Sequence, residues 1–526
     1  MLRLLLIFGL LNLLFLALEI PRYAGFGPNW LALEAALLAG LFALLPAGRR
    51  TARIAALAGW LFAALTLLVL ADALARLSLS RPLNLYLDYP LARSVYDLAA
   101  GSVSLPGALL AMLLVFLAVG AVGLLAARLL VRLPGGRGTA RTGVATALVL
   151  VGVAGTTTFH AGEAVPNLPR AITPGITLVL DQFRFGRDAR SERLAFKAEL
   201  DRERNDDPET RLEGLAGIDV IIGFIESYGV SALFDERYSP VVGARLDAFG
   251  QRAEASRLHV ATGVVNAPMF GGQSWLAHST LLSGLWITSQ ARYELLLETE
   301  RPTLVGDFAR TGHRTVAVMP AIVRSWPGGR WYGFDEIRGA GDMPYAGPEF
   351  NWVTMPDQFV WSHFEHAVRR AEERPVFAKI ALLSSHAPWV PVLPVLDDWD
   401  AIGDGSVFRQ WEGSGEPPEV LWLDPDRVRQ AYAESVAYAL EVAGAYAVRH
   451  TDERTLLILI GDHQPASIIT GPNPNPGVPV HLVSGDPALL EPFLQHGFVP
   501  GVWPDREFTE AGMDRFRDWL HDAFGR

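Results

Sequence analysis

Residues 455–465 read TLLILIGDHQP, an apolar run that ends in a glycine and an Asp–His pair. An unbroken run of this kind, with no polar alternation, is the pattern of a strand buried on both faces. Four other runs share it: DVIIGFI at 219–225, TVAVM at 315–319, VFAKIALL at 376–383 and VPVHLVS at 478–484. The stretches between them carry helical patterning, which calls for crossover connections and a largely parallel α/β sheet. In such sheets the ligand crevice lies beyond the carboxyl ends of the strands. The residues that follow each run are therefore the place to look for chemistry.

Those residues are consistent with one another. Glu226 follows the first run in ESYG, His386 follows the third in SSHAPW, and Asp462 and His463 follow TLLILI in GDHQP. His481 lies within VPVHLVS. Carboxylates and imidazoles gathered at one sheet edge suit a divalent cation. One nitrogen and several oxygen ligands fit Mn²⁺, Zn²⁺ or Mg²⁺ without choosing among them. A single Glu or His after a strand is more often a cap or a structural residue. An adjacent Asp–His pair directly after a buried strand is hard to explain as surface decoration.

A second stretch, FGGQSWLAHSTLLSGLW at 270–286, places Ser274 at the head of an apolar helical run. A helix mouth offers free amides and partial positive charge, which favour an alkoxide or a phosphate. A serine there is equally well read as an N-cap. The neighbouring residues leave both readings open. His278, one turn further on, is read as helix packing.

Upstream of this region the chain changes character. Residues 1–160 hold 12 Arg against 5 acids, a net +7, whereas the remainder holds 33 basic against 51 acidic residues, a net −18. Five apolar stretches, at about 3–20, 29–47, 54–73, 107–127 and 142–159, each approach the roughly 20 residues needed to cross a bilayer. The first lacks a small-residue cleavage site and is read as an uncleaved anchor. Arg49, Arg50 and Arg53, and then Arg128, Arg132, Arg137 and Arg141, mark the cytoplasmic loops. Everything after about residue 160 is then exported, and so is the 74–106 loop with its LYLDYP and VYDL segments. Glu34, inside the second stretch, is read as a satisfied or snorkelling acid. Residues 161–215 are a juxtamembrane linker, with RSERLAFKAELDRERNDD patterned either as a membrane-surface amphipathic helix or as a solvated one. The exported domain spans 216–526. There is no cysteine, so disulfides, thiolate metal sites and cysteine nucleophiles are excluded. An acidic exported half without a long basic run argues against nucleic acid as a partner.

The ordered set ESYG, GGQSWLAHSTLLSG, SSHAPW and GDHQP, behind five membrane spans, resembles the lipoteichoic acid synthase and phosphoglycerol transferase branch of the alkaline phosphatase/sulfatase superfamily. The resemblance covers nearly the whole chain. It implies a five-helix transmembrane region plus an alkaline phosphatase/sulfatase-like α/β exported domain. It also implies one divalent metal ion, typically Mn²⁺, held by Glu226, Ser274, Asp462 and His463. Ser274 is then the nucleophile, and His386 binds the phosphoglycerol head group. The family's enzymes take phosphoglycerol from phosphatidylglycerol through a covalent phospho-enzyme and release diacylglycerol. The implied setting is a bacterial cytoplasmic membrane with the catalytic domain facing outward, a phospholipid donor and a glycan or glycolipid acceptor.

The chain also departs from the family pattern. Relatives carry a Trp-Asn-Arg segment that contacts the phosphate, whereas this chain reads RSWPGGRWYGFDEI at 324–337. Trp326 matches, glycine replaces the arginine, and Arg330 or Arg324 is the candidate substitute. His481 has a family counterpart near the site rim and is a candidate substrate contact. The Ser/Cys-x-Pro-x-Arg pattern of sulfatases is absent around Ser274. Phosphoethanolamine transferases of lipid A are generally disulfide-rich, which disfavours that reading here. The alternatives are a phosphodiesterase with water as acceptor, a transferase that donates phosphoethanolamine, and a non-enzymatic membrane scaffold.

Overall fold

The computed structural model describes residues 1–23, 29–79, 81–89, 105–136, 138–161, 171–202, 211–323, 326–508 and 511–525. It forms two compact units, Met1–Leu77 with Arg81–Glu192, and Ser78–Ser80 with Arg193–Arg526.

In the first unit, four helices among the described residues are long and apolar enough to cross a membrane: Leu2–Glu19, Arg49–Leu79, Leu109–Val131 and Thr139–His160. The stretch read as a span at 29–47 forms a helix of only 12 residues, Leu33–Leu44. At 1.5 Å per residue this is about 18 Å, short of the roughly 30 Å hydrocarbon core. Its leading residues are extended instead: Leu31–Ala32 pairs in parallel with Ala171–Ile172. The Ala32 N–H donates to Asn12 Oδ1 at 2.7 Å. Glu34 is buried, and its Oε1 accepts from the N–H groups of Gly175 (2.9 Å) and Ile176 (3.0 Å) at the start of the helix Pro174–Arg202. It holds the start of that helix through Oε1 alone, since its Oε2 is buried without a hydrogen-bond partner and the acid is only half satisfied. Arg141 donates to Ala43 O at 3.1 Å and Gly136 O at 2.7 Å, so the arginine-rich 128–141 segment meets the end of Leu33–Leu44. Arg137 and the VYDL segment lie outside the described residues.

The second unit is built on an eight-stranded sheet. Its strands are β1 (Asp219–Ile225), β2 (His259–Asn266), β3 (Arg314–Met319), β4 (Glu336–Gly339), β5 (Val376–Leu382), β6 (Thr455–Gly461), β7 (Gly477–Ser484) and β8 (Val499–Pro500). Their order is β8-β2-β7-β6-β1-β5-β3-β4. The β6-β1-β5-β3-β4 block is parallel, whereas β7 runs antiparallel to both β6 and β2. The apolar runs at 219, 315, 376, 455 and 478 are thus strands of one mostly parallel sheet. The sequence reading missed β2, β4 and β8. The charged EIRG of β4 and the two residues of β8 lack a buried-strand pattern.

Both faces of the sheet are covered. Ile221 and Ile225 of β1 pack with Val242, Leu246 and Phe249 of helix Ser239–Ala255 and with the long helix Pro425–His450. Val220, Ile222 and Phe224 pack on the other face with Leu276, Ala277 and Leu281 of helix Ser274–Ser283. Burying successive side chains of one strand on opposite faces is what removes polar alternation from its sequence. Phe196 and Leu200, in the linker, are buried in this second core, and the Arg292 guanidinium covers the Phe196 ring at 4.7 Å. Phe196 and Leu200 therefore pack on the α/β unit, an outcome that neither open reading of the segment, membrane-surface or solvated, anticipated.

Candidate active site

Four loops converge at the carboxyl edge of the sheet. Glu226 follows β1, the Ser385–His386 turn follows β5, Asp462 and His463 follow β6, and the 267–273 loop after β2 delivers Ser274. That loop ends in three consecutive left-handed residues, Gly271 (φ 68°), Gly272 (φ 147°) and Gln273 (φ 64°). The glycines adopt this conformation without strain, while Gln273 is held in a region uncommon for a residue with a side chain. The helix then begins at Ser274, with Gln273 in the capping position. Ser274 is thus the first helical residue, and its hydroxyl is turned away from the helix amides.

The hydroxyl points into the carboxylate cluster instead. Ser274 Oγ donates to Glu226 Oε2 at 3.1 Å and lies 3.3 Å from His463 Nε2. His463 Nε2 is 3.4 Å from Glu226 Oε1 and 3.7 Å from Asp462 Oδ2. The ligand atoms of Glu226, Asp462 and His463 all lie within 4.8 Å of one another, and all three residues are buried. The other ring nitrogen, His463 Nδ1, is 2.9 Å from Gln464 O, which leaves Nε2 as the inward lone pair.

Residues that the sequence reading did not single out hold this arrangement. Ser227, at φ 56°, turns its N–H to Asp462 Oδ1 at 2.8 Å, and its hydroxyl donates to Glu226 Oε1 at 2.9 Å. The Ser385 hydroxyl donates to Glu226 O at 2.6 Å. Asp357 Oδ1 accepts the N–H groups of Leu383 (2.8 Å) and Ser384 (2.9 Å), fixing the turn that carries His386. Only ESYG itself, with its serine beside the glutamate, hinted at any of these.

Burial and the charge of Glu226 push Asp462 well above the usual carboxylate range. Burial acts on Glu226 in the same direction but is outweighed by His463, His386 and hydrogen bonds from Asp462 and Ser227, which hold it down. Two buried carboxylates facing each other this way repel, and a cation between them would relieve that repulsion. Two hard carboxylate oxygens, a hydroxyl and one imidazole lone pair fit a divalent ion of the Mn²⁺, Zn²⁺ or Mg²⁺ kind.

The remaining sequence candidates fall in different places. His386 is half-buried and close enough to Glu226 to pull its carboxyl down. Trp326 is half-buried over Met319 and Ala381 at the ends of β3 and β5. Arg330 is exposed on the short helix Pro327–Trp331 and makes no hydrogen bond or ion pair with Glu226, Ser274, Asp462 or His463. Arg324 lies outside the described residues. His481 is not brought to the edge. It is fully buried in β7, with Nε2 at 2.9 Å from Tyr228 Oη and Nδ1 at 3.0 Å from Thr262 Oγ1.

No protein-family model matches the chain, and no curated protein matches it. Among solved structures it is similar to a phosphonate monoester hydrolase of Agrobacterium radiobacter. The two are 14% identical, with 57% of this chain and 77% of that one covered and a TM-score of 0.30. It is also similar to the lipoteichoic acid synthase LtaP from Listeria monocytogenes, at 11% identity, 59% and 73% coverage and a TM-score of 0.39. A third similar structure is the Streptococcus pyogenes phosphoglycerol transferase GacH in complex with sn-glycerol-1-phosphate. It is 12% identical, with 63% of this chain and 79% of that one covered and a TM-score of 0.39.

Proposed function

We propose that the chain is a membrane-anchored, metal-dependent phosphotransferase that moves a phosphoglycerol group from a phospholipid to an extracytoplasmic glycan through a phosphoserine. The observation that carries this reading is the serine hydroxyl aimed at a buried Glu–Asp–His cluster from the first turn of a buried helix. Glu226, Ser274, Asp462 and His463 would hold one divalent ion, Mn²⁺ being the choice the family resemblance favours. When bound, the ion supplies Lewis acidity at the serine oxygen and charge neutralisation at the phosphate.

The protein's own residues do the rest. Glu226 Oε2 accepts the serine hydroxyl's hydrogen bond and orients it. Ser274 Oγ bonds phosphorus while the bond from phosphorus to the diacylglycerol oxygen breaks, and the serine's proton ends on that oxygen. An acceptor hydroxyl then displaces Ser274 in the mirror step, returning a proton to the serine. His386, whose charge acts on Glu226, would bind the donated head group, and Trp326 would line the donor side. The catalytic unit works at the outer face of the cytoplasmic membrane, where phosphatidylglycerol is within reach.

The test is full-length protein in phosphatidylglycerol vesicles with Mn²⁺, assayed for diacylglycerol and for a glycerophosphate adduct on Ser274 by mass spectrometry. Wild-type protein should show both. A Ser274→Ala protein that still released diacylglycerol would refute the mechanism. Adding candidate glycans separates transfer from hydrolysis, since a hydrolase yields only free glycerol phosphate.

A further inference from the structure

Lys379 projects from the middle of β5 into the layer beneath the helix Ser274–Ser283 and is fully buried. Its ammonium lies 2.9 Å from His278 Nδ1, 2.7 Å from Met319 Sδ and 5.5 Å from the centre of the Phe224 ring. None of these partners is a carboxylate, and among the described residues no ion pair compensates it. His278 itself is held neutral: burial and the lysine push it well below the ordinary imidazole range. A cation enclosed by neutral groups is costly to keep in a fold. The position is also specific. His278 is one helical turn from Ser274, and Phe224, whose ring packs on His278 at 4.1 Å, is two residues from Glu226. Burial brings Lys379 down to about 7, and the opposing influence is the charge of Asp462.

We propose that Lys379 is a positioning residue of the transfer site, an internal counter-charge beneath the Ser274 helix for the carboxylates and for the phosphate carried on Ser274. This rests on reading Ser274 as the nucleophile. Glu226 and Asp462 and a phosphodiester on the serine together bring more negative charge than one divalent ion offsets, and Lys379 supplies the balance from behind. It touches neither substrate nor metal ligands, so it acts through the field it places on them.

The role has a signature that packing alone would not give. Near pH 6.5, Lys379→Met should bind Mn²⁺ about tenfold more tightly, because a repelling cation is gone. Its turnover should fall about tenfold or more, with a smaller burst of diacylglycerol. Its thermal midpoint should stay level or rise, since methionine replaces a buried charge with an apolar chain of similar length. Lys379→Arg, which keeps the charge, should retain wild-type Mn²⁺ affinity. Unchanged Mn²⁺ affinity and turnover in Lys379→Met, beside an intact wild-type serine adduct, would overturn this inference alone. Weaker Mn²⁺ binding with a lowered midpoint would do the same, by showing a structural role. Absence of any Ser274 adduct in the wild-type protein would overturn both readings.

Discussion

Gly461 meets the carbonyl oxygen of Tyr228 with no room for a β-carbon between them. This approach locks the ESYG turn after β1 to the GDHQP turn after β6. Beside it the Asp462 N–H reaches Ile225 O at 3.3 Å and the Ser227 N–H reaches Asp462 Oδ1 at 2.8 Å. The glycine before Asp462 is thus part of the site's geometry.

Gly461→Ala forces these two turns apart, because the clash is with backbone rather than with a side chain that can rotate away. Overpacking of this kind costs about 1–3 kcal/mol. The expected result is a lowered unfolding midpoint together with at least a tenfold loss of Mn²⁺ affinity. Calorimetric titration and a thermal melt on the same sample check it. A variant with unaltered Mn²⁺ affinity would show that the two turns are not coupled.

A cation that binds only the folded protein stabilises it by mass action. Mn²⁺ at about 100 times its Kd adds about 2.7 kcal/mol. Scanning calorimetry of chelated and Mn²⁺-loaded protein should show that rise in wild-type protein, and its absence in Asp462→Asn. Equal midpoints with and without the ion in wild-type protein would remove the metal from this site.

Asp357 should respond to pH through its burial. Its Oδ2 has no hydrogen-bond partner, and desolvation lifts the carboxyl from 3.8 to about 6, with backbone donors opposing. As pH rises from about 4 to 6 the unfolded chain releases this proton while the fold retains it, so the contribution to stability falls across that window. Asp357→Asn keeps the acceptor for Leu383 and Ser384 without the charge. It should be more stable than wild type by about 1–2 kcal/mol at pH 7.5 and equal to it below pH 4. Urea melts at both pH values decide the matter.

His481 behaves in the opposite sense. Burial depresses it from 6.5 to about 3, so it stays neutral between Tyr228 and Thr262. Below about pH 6.5 the unfolded chain gains a proton that the fold refuses, and stability falls as pH drops towards 3. His481→Leu should be less stable at pH 7 by about 1–3 kcal/mol, because the buried Tyr228 hydroxyl loses its partner while the Thr262 hydroxyl keeps Gly501 O. It should have a flatter acid limb and an unchanged KM for the lipid donor. A raised KM would restore His481 to the substrate pocket.

How far the sequence could be read depended on whether a signal was local. The five apolar runs were legible because a strand buried on both faces must be apolar throughout, and each proved to be a strand of the one sheet. β4, with its EIRG sequence on the sheet edge, gave no such pattern. His481 was a candidate only through its family counterpart, because nothing local to VPVHLVS says where along its strand the ring is enclosed. It lies in the middle of β7 opposite Leu459 of β6, buried in the core and away from the edge that β1, β5 and β6 share. Lys379 was hidden inside an apolar run, where a single charged residue reads as an interruption.

The sequence by itself determined the apolar character of residues 1–160, the buried strands of an α/β sheet and the residue types at their ends, because periodicity and hydropathy are local properties of a chain. Tertiary structure alone decided that the apolar stretch at 29–47 stops at 12 helical residues, since an extended pairing with residues 171–172 takes its leading end. It alone decided what Ser274 faces. Nothing in FGGQSWLAH distinguishes a capping hydroxyl from one aimed elsewhere. The left-handed turn through Gln273 makes Ser274 the first helical residue, and the sheet brings Glu226 and His463 from 48 and 189 positions away to meet it.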